Sequence, residues 1–413
     1  MRRSHLVAAL AELVAIPSVS SDPNRVADVQ RCARLLATRL GEIGLARVQL
    51  MGDARRPLVY GEWLRAPGRQ TVLIYGHYDV VAAEPAAFRP NVRGAYLYGR
   101  GASDDKGPLL CHLIAIGERL RRDGALPVNV RVLLDGEEEI GSPALGRLVH
   151  EQPESLRADI ALVSDTRMLG PGRPTLVYGL RGKLDARIVV RGRDRDLHSG
   201  QFGGVVANPA NVLCSLVGSL VGADGTIALP GFYDGVRRDD LADAAARPAL
   251  DVTGLLGGHT GPGVKGIVPA RASAQLSFRL APGQRPQRVR ALLRKHCARP
   301  APTGVSVKLT TAGGRPPLAL DPKSPAQRAA ARAAAAAFGR APALIRSGGS
   351  IMAPVLFREL LGLESVLLGF ALPDDGIHGP VERVHLPTLE RGIVASGCFL
   401  DELAVLSRVA VAA

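Results

Sequence analysis

No stretch of about 18 uncharged apolar residues occurs in this sequence, so it offers no candidate membrane-spanning helix. Cysteine is sparse: Cys32, Cys111, Cys214, Cys297 and Cys398 are odd in number, far apart and without a CxxC pair. That pattern argues against a disulfide scaffold and a thiolate zinc site, and it suits a reducing cytoplasm. Lysine is confined to positions 106, 183, 265, 295, 308 and 323, so the net charge of +14 rests on arginines spread singly along the chain. Without a clustered basic footprint, a nucleic-acid partner is not expected. No internal repeat stands out. What remains is ordinary globular composition, 46% apolar and 22% charged over 413 residues, which is inconsistent with wholesale disorder and gives length for two domains or one large one. Arg2-Arg3 before an apolar stretch looks like an export signal, but Glu12 interrupts that stretch and no small-residue cleavage site precedes Pro17. Leu6, Leu10, Leu13 and Val14 recur at helical spacing, so an amphipathic first helix is expected.

Strand and helix patterns then alternate. Residues 71–75 (TVLIY), 128–134 (VNVRVLL) and 160–164 (IALVS) are short apolar runs, and helical patterns cover 26–40 and 108–121. This rhythm predicts an α/β domain, a mostly parallel sheet with helices on both faces. From Leu184 the strands alternate instead, at 184–191, 272–280 and 305–310, between helical stretches at 209–221 and 286–296. One solvated face per strand implies an antiparallel sheet and hence an inserted α+β domain. After Gly313-Gly314 the parallel grammar returns, with an alanine-rich helix at 325–338 and a buried strand at 365–368. The expected division is 1–180 and 313–413 for the parallel-sheet domain, with 181–312 inserted.

Chemistry gathers where the apolar strands end. His77 and Asp79 lie two apart and share one side of an extended chain, a spacing that suits a metal-binding imidazole steadied by a carboxylate. Gly99–Gly107 forms a turn with adjacent Asp104 and Asp105, and Glu137, Glu138 and Glu139 follow the strand 128–134 directly. Three like charges at a buried strand's end repel one another and call for a cation or a proton, the other reading being a solvated loop. Asp165 follows a further apolar strand, and His378 sits in a glycine-bracketed loop. Imidazole plus carboxylate at the strand ends of one sheet suits zinc, with manganese or cobalt as alternatives, and a spare carboxylate is what a metal hydrolase uses as general base.

The ordered series GHYDVV, LYGRGASDDKGP, DGEEEIGS, VSD, LVYGLRGK and DLHSGQFGG resembles the M20 metallopeptidases, in particular their carnosinase and dipeptidase branch. The resemblance continues through 261–280, Ser347-Gly348-Gly349-Ser350 and the His378 loop, and so covers essentially the whole chain. It implies two divalent ions, one held by His77, Asp104 and Asp165 and the other by Asp104, Glu139 and His378, with Asp104 bridging. It makes Asp79 the residue that orients His77, and Glu138 the general base, with Glu137 as its rival. It makes His198 an oxyanion donor that reaches a partner subunit's site, Arg279 the grip on a substrate carboxylate, and Gly349 and Ser350 part of the pocket. His5, His112, His150, His259, His296 and His385 match no ligand position and are read as structural or surface residues.

Three positions depart from the family pattern: Gly266 stands where relatives usually carry Thr, and Gly379 and Val381 replace residues of the HxPNE motif. The ligand set is unaltered, so the expected activity is hydrolysis of an amide bond next to a free carboxylate, by a dipeptidase or short-peptide exopeptidase. The alternatives are an amidase or deacylase acting on a small metabolite, and a non-catalytic basic binding protein. A cytoplasmic homodimer with no membrane partner is expected.

Overall fold

A computed structural model describes residues 3–406. The chain separates into two compact units, one built from residues up to Tyr178 with Leu320–Ile345 and the chain from Ile351 onward, the other from Gly179–Ala319 with Arg346–Ser350.

The first unit centres on a six-stranded sheet in the order Ala46–Met51, Leu58–Trp63, Asn129–Asp135, Thr71–His77, Ile160–Val163, Glu364–Leu367. The first two strands run antiparallel to their neighbours, and the other four pair in parallel. The parallel strands are buried along nearly their whole length, which is why they read as unbroken apolar runs. Their register decides where function can sit. Tyr75 pairs with Leu133 and Val163, and Val163 with Leu367, so His77, Asp135 and Asp165 all stand two residues beyond one row. In open α/β sheets this carboxyl edge is where ligands bind.

Helices Arg3–Val14, Val26–Glu42, Lys106–Asp123, Pro325–Phe338 and Leu386–Ala404 supply much of the packing around the sheet. The first buries Leu6, Leu10, Leu13 and Val14, as its spacing predicts. The alanine-rich segment Pro325–Phe338 is a helix whose start is capped by the Ser324 hydroxyl, which accepts from the Gln327 N–H at 3.2 Å, and whose end is turned by Gly339. Lys106, fully buried at the start of its helix, donates to the carbonyls of Leu13 (2.9 Å) and Ile16 (2.8 Å), tying the first helix to the turn that carries Asp104.

The second unit is a four-stranded antiparallel sheet, ordered Ala249–Gly257, Arg271–Leu280, Gly182–Arg191, Ser306–Arg315. Alternate residues of the middle strands join Leu213, Val289 and Leu293 of two helices in a separate core. The expected boundary at 312 falls short of the observed one. The last strand runs on to Arg315, and Leu318 and Ala319 pair with Leu180 and Gly179. Arg346–Ser350 also returns to this unit, held by an Arg346–Asp240 ion pair of 2.8 Å and by Arg315, which donates to the Ser350 carbonyl at 2.8 Å.

Candidate dinuclear metal centre

His77 is the last residue of its strand and is almost fully buried. Its Nδ1 lies 3.1 Å from the main-chain carbonyl of Asp79 and 3.5 Å from that residue's carboxylate, so the Nδ1–H has an acceptor and Nε2 is the atom presented to the site. Nε2 lies 3.0 Å from Asp104 Oδ1, while the second oxygen, Oδ2, lies 3.1 Å from Nε2 of His378. That same His378 nitrogen is 3.0 Å from Glu139 Oε1. One carboxylate thus faces two imidazoles with different oxygens. Donor atoms of His77, Asp104 and Asp165 lie within 4.8 Å of one another, and so do those of Asp104, Glu139 and His378. All five residues expected as ligands come together in these two sets.

The charges make the donor set fit cations. Burial drives the Asp165 carboxyl well above its ordinary range, and the charge of Asp104 adds to that. Asp105 is pushed up to about 8, first by burial and then by Asp104. The histidines respond in the opposite sense. Burial opposes the charge on His77, yet hydrogen bonds to Asp104 and Asp79 outweigh it and raise the pKa well above normal. His378 is pushed up to about 10 by its bonds to Asp104 and Glu139. A cluster that runs from the buried His77 to the exposed His378 and draws protons this strongly carries excess negative charge, and two sets of nitrogen and oxygen donors without a thiolate are what zinc, manganese or cobalt take.

The glutamate triplet divides by hydrogen bonding. Glu137 Oε2 accepts the Ala144 N–H at 2.8 Å and so caps the helix Pro143–Glu151. Glu139 faces His378. Glu138 is buried, and its charge is felt at Asp165, Asp105 and Tyr75. The Asp79 carboxylate does more than steady His77: its two oxygens accept the N–H groups of Glu138 (3.0 Å) and Glu139 (3.1 Å).

Sequence reasoning missed the residues that hold the Asp104 turn against the His378 loop. Glu382, 3% exposed, accepts the N–H groups of Gly101 (2.9 Å), Ser103 (2.9 Å) and Asp104 (3.1 Å), and Arg100 Nη1 donates to it at 2.7 Å. Ser103 Oγ donates to Asp375 Oδ2 at 2.6 Å, and Arg100 Nη2 to the Gly379 carbonyl at 2.5 Å. These bonds support His378, whose φ of 61° is a left-handed backbone rare outside glycine. The peptide bond between Asp104 and Asp105 is cis. The sequence signal was a buried-type Glu four residues past a glycine-bracketed His, with no way to read its partner some 280 positions earlier.

The other expected residues belong to the second unit. Arg279 Nη1 donates to Ser350 Oγ at 3.3 Å, and Ser350 Oγ donates to the Arg181 carbonyl at 2.5 Å, so these two expected residues meet. Gly349 is exposed beside them and donates its N–H to Ser347 Oγ. His198 is exposed; its Nδ1 accepts the Gly200 N–H at 3.0 Å, which leaves Nε2 to carry the proton. A Cβ on Gly266 would stand 2.9 Å from Ser199 Oγ, so the serine hydroxyl fills space that a threonine there would need. No described helix is long and apolar enough to cross a membrane.

An α/β sheet with this donor set at its carboxyl edge suits a metal-dependent hydrolase. Comparison with known proteins makes the class specific. Residues 73–402 match Peptidase family M20/M25/M40, and the chain belongs to that family. It is 31% identical to the Cys-Gly metallodipeptidase DUG1 of Candida albicans, over 95% of this chain and 93% of that one. Among solved structures it is similar to human carnosine dipeptidase 1, with 28% identity, a TM-score of 0.83 and coverage of 98% and 97%. It is likewise similar to the M20 metallo-carboxypeptidase Sso-CP2 of Sulfolobus solfataricus, with 28% identity, a TM-score of 0.86 and coverage of 97% and 99%.

Proposed function

We propose that this chain hydrolyses the peptide bond of dipeptides and short peptides that end in a free carboxylate. The observation that carries the reading is the two-sided Asp104, with one oxygen toward His77 and the other toward His378. His77, Asp104 and Asp165 would hold one ion, and Asp104, Glu139 and His378 the second, zinc being the first choice and manganese or cobalt the others. Two such ions supply Lewis acidity that polarises the scissile carbonyl and acidifies water. Glu138 takes the proton from the attacking water and delivers it to the departing amine. Support for Glu138 over Glu137 comes from the helix cap that occupies Glu137. Asp79 orients His77 and, through the N–H groups of Glu138 and Glu139, the glutamate turn. His198, with a proton on Nε2, donates to the oxyanion, and its action at a partner subunit's site rests on the resemblance. Arg279 grips the carboxylate beside Ser350 and the Gly349 backbone.

The reading extends to a cytoplasmic homodimer in which the inserted unit serves as lid and dimerisation domain. Five free cysteines support the reducing compartment.

A panel of dipeptides, N-acyl amino acids and C-terminally amidated dipeptides, assayed with added zinc or manganese, tests the function. Free dipeptides should turn over, amidated ones should not, and Arg279→Lys should raise KM for free dipeptides about 10–100-fold, as expected for losing a charge-assisted bond. Preference for N-acyl amino acids would instead establish a deacylase.

A further inference from the structure

His112 sits inside the helix Lys106–Asp123, is 1% exposed and matches no ligand position. Both ring nitrogens are nevertheless bonded, and the bonds fix a single direction. Ser164 Oγ donates its one proton to the Leu368 carbonyl at 2.6 Å, so toward His112 it can only accept. Nε2 of His112, 2.8 Å away, is therefore the protonated nitrogen. Nδ1 is then an acceptor, and Ser396 Oγ, at 2.5 Å, donates to it. The result is an ordered chain from Ser396 through His112 and Ser164 to Leu368, with a neutral ring. Burial, which pushes the imidazole down to about 3, agrees with that state.

The chain ends at a mechanically important place. Ser164 follows the strand Ile160–Val163 and precedes Asp165, beyond the last ladder bond, in which the Leu368 N–H donates to the Val163 carbonyl at 3.0 Å. There the hydroxyl continues the pairing that the backbone no longer provides. On the other side of Asp165, a Cβ on Gly369 would lie 1.8 Å from the Thr166 carbonyl oxygen and 2.3 Å from its Oγ1, so only a glycine lets the second segment pack this closely against Thr166. Asp165 is thus clamped by the residues on both sides of it.

We infer that His112 is a positioning residue for Asp165: it locks the Ser164 hydroxyl onto the Leu368 carbonyl and so fixes the strand end that presents this carboxylate. The inference rests on the proposal that Asp165 is a metal ligand. Groups that orient ligands from behind typically govern metal affinity by about 10–100-fold.

The experiment is a chelator competition on the zinc-loaded full chain, read as metal retained per chain, with the absorption of the cobalt-loaded protein as a second signature. His112→Phe keeps the ring volume and loses both bonds, Ser164→Ala removes the middle link, and His112→Gln can restore an N–H at the Nε2 position. His112→Phe and Ser164→Ala should release one of the two ions about 10–100-fold more readily and alter the cobalt spectrum, while His112→Gln recovers retention. Leu293→Ala, in the core of the second unit, serves as a control for general destabilisation and should retain metal as the unmodified chain does. Unchanged retention in folded Ser164→Ala or His112→Phe, or equal loss in Leu293→Ala, overturns the inference alone. An unmodified chain that takes up no metal overturns the ligand assignment as well.

Discussion

Glu138→Gln is expected to lower kcat by about 10²–10⁴-fold, the span usual for loss of a general base, with two ions still bound per chain. The amide keeps the size and most of the packing of the buried side chain but cannot accept a proton at neutral pH. The backbone N–H of residue 138, held by Asp79 Oδ1 at 3.0 Å, is unaffected by the change, so the turn that carries Glu139 keeps its anchor. Glu137→Gln should behave differently. The task of that side chain is to accept the Ala144 N–H, which an amide oxygen does as well, so activity should stay within a few-fold of the unmodified protein. Steady-state kinetics on a dipeptide, with metal content measured on the same samples, separates the two. Full activity in Glu138→Gln, or its loss in Glu137→Gln alone, would move the base to the other glutamate.

Glu382→Ala should destabilise the fold by about 3–5 kcal/mol, the cost of stranding one partner of a buried ion pair. Arg100, itself 3% exposed, would lose its carboxylate, and the N–H groups of Gly101, Ser103 and Asp104 would lose their acceptor. The local consequence matters more than the global one. Asp104 is anchored through its N–H to the loop that carries His378, so the variant should also lose metal more readily than any surface substitution does. Denaturant titration reads the first effect and chelator competition the second. An unchanged midpoint together with unchanged metal retention would show that the loop is held by other contacts.

These two residues mark how far the sequence could be read. Strands such as Thr71–His77 and Asn129–Asp135 were legible because burial on both faces demands an unbroken apolar run. The candidate donor types were legible because charged residues directly after such runs sit at the sheet's carboxyl edge. Choosing among Glu137, Glu138 and Glu139 by spacing was impossible, since what separates them is the Ala144 N–H and the His378 ring, contacts made across a turn and across the fold. Arg100 and Glu382 pair over 282 positions, beyond any local pattern. The strand Ala249–Gly257 escaped notice for a different reason: it lies at a sheet edge with mostly exposed residues, so it lacks the alternation that marks a half-buried strand. Arg346–Ser350 returns to the second unit without any change of composition to announce it. His112 looked structural because a lone histidine on an apolar helix carries no signal of what its two nitrogens touch.

The most direct measurement is elemental analysis of the full chain purified without chelator, followed by titration of the stripped protein with zinc and manganese. Two divalent ions per chain, falling when Asp104 is replaced by Ala, is the result this account predicts. A chain that carries no divalent ion and takes none up at micromolar concentration would contradict it.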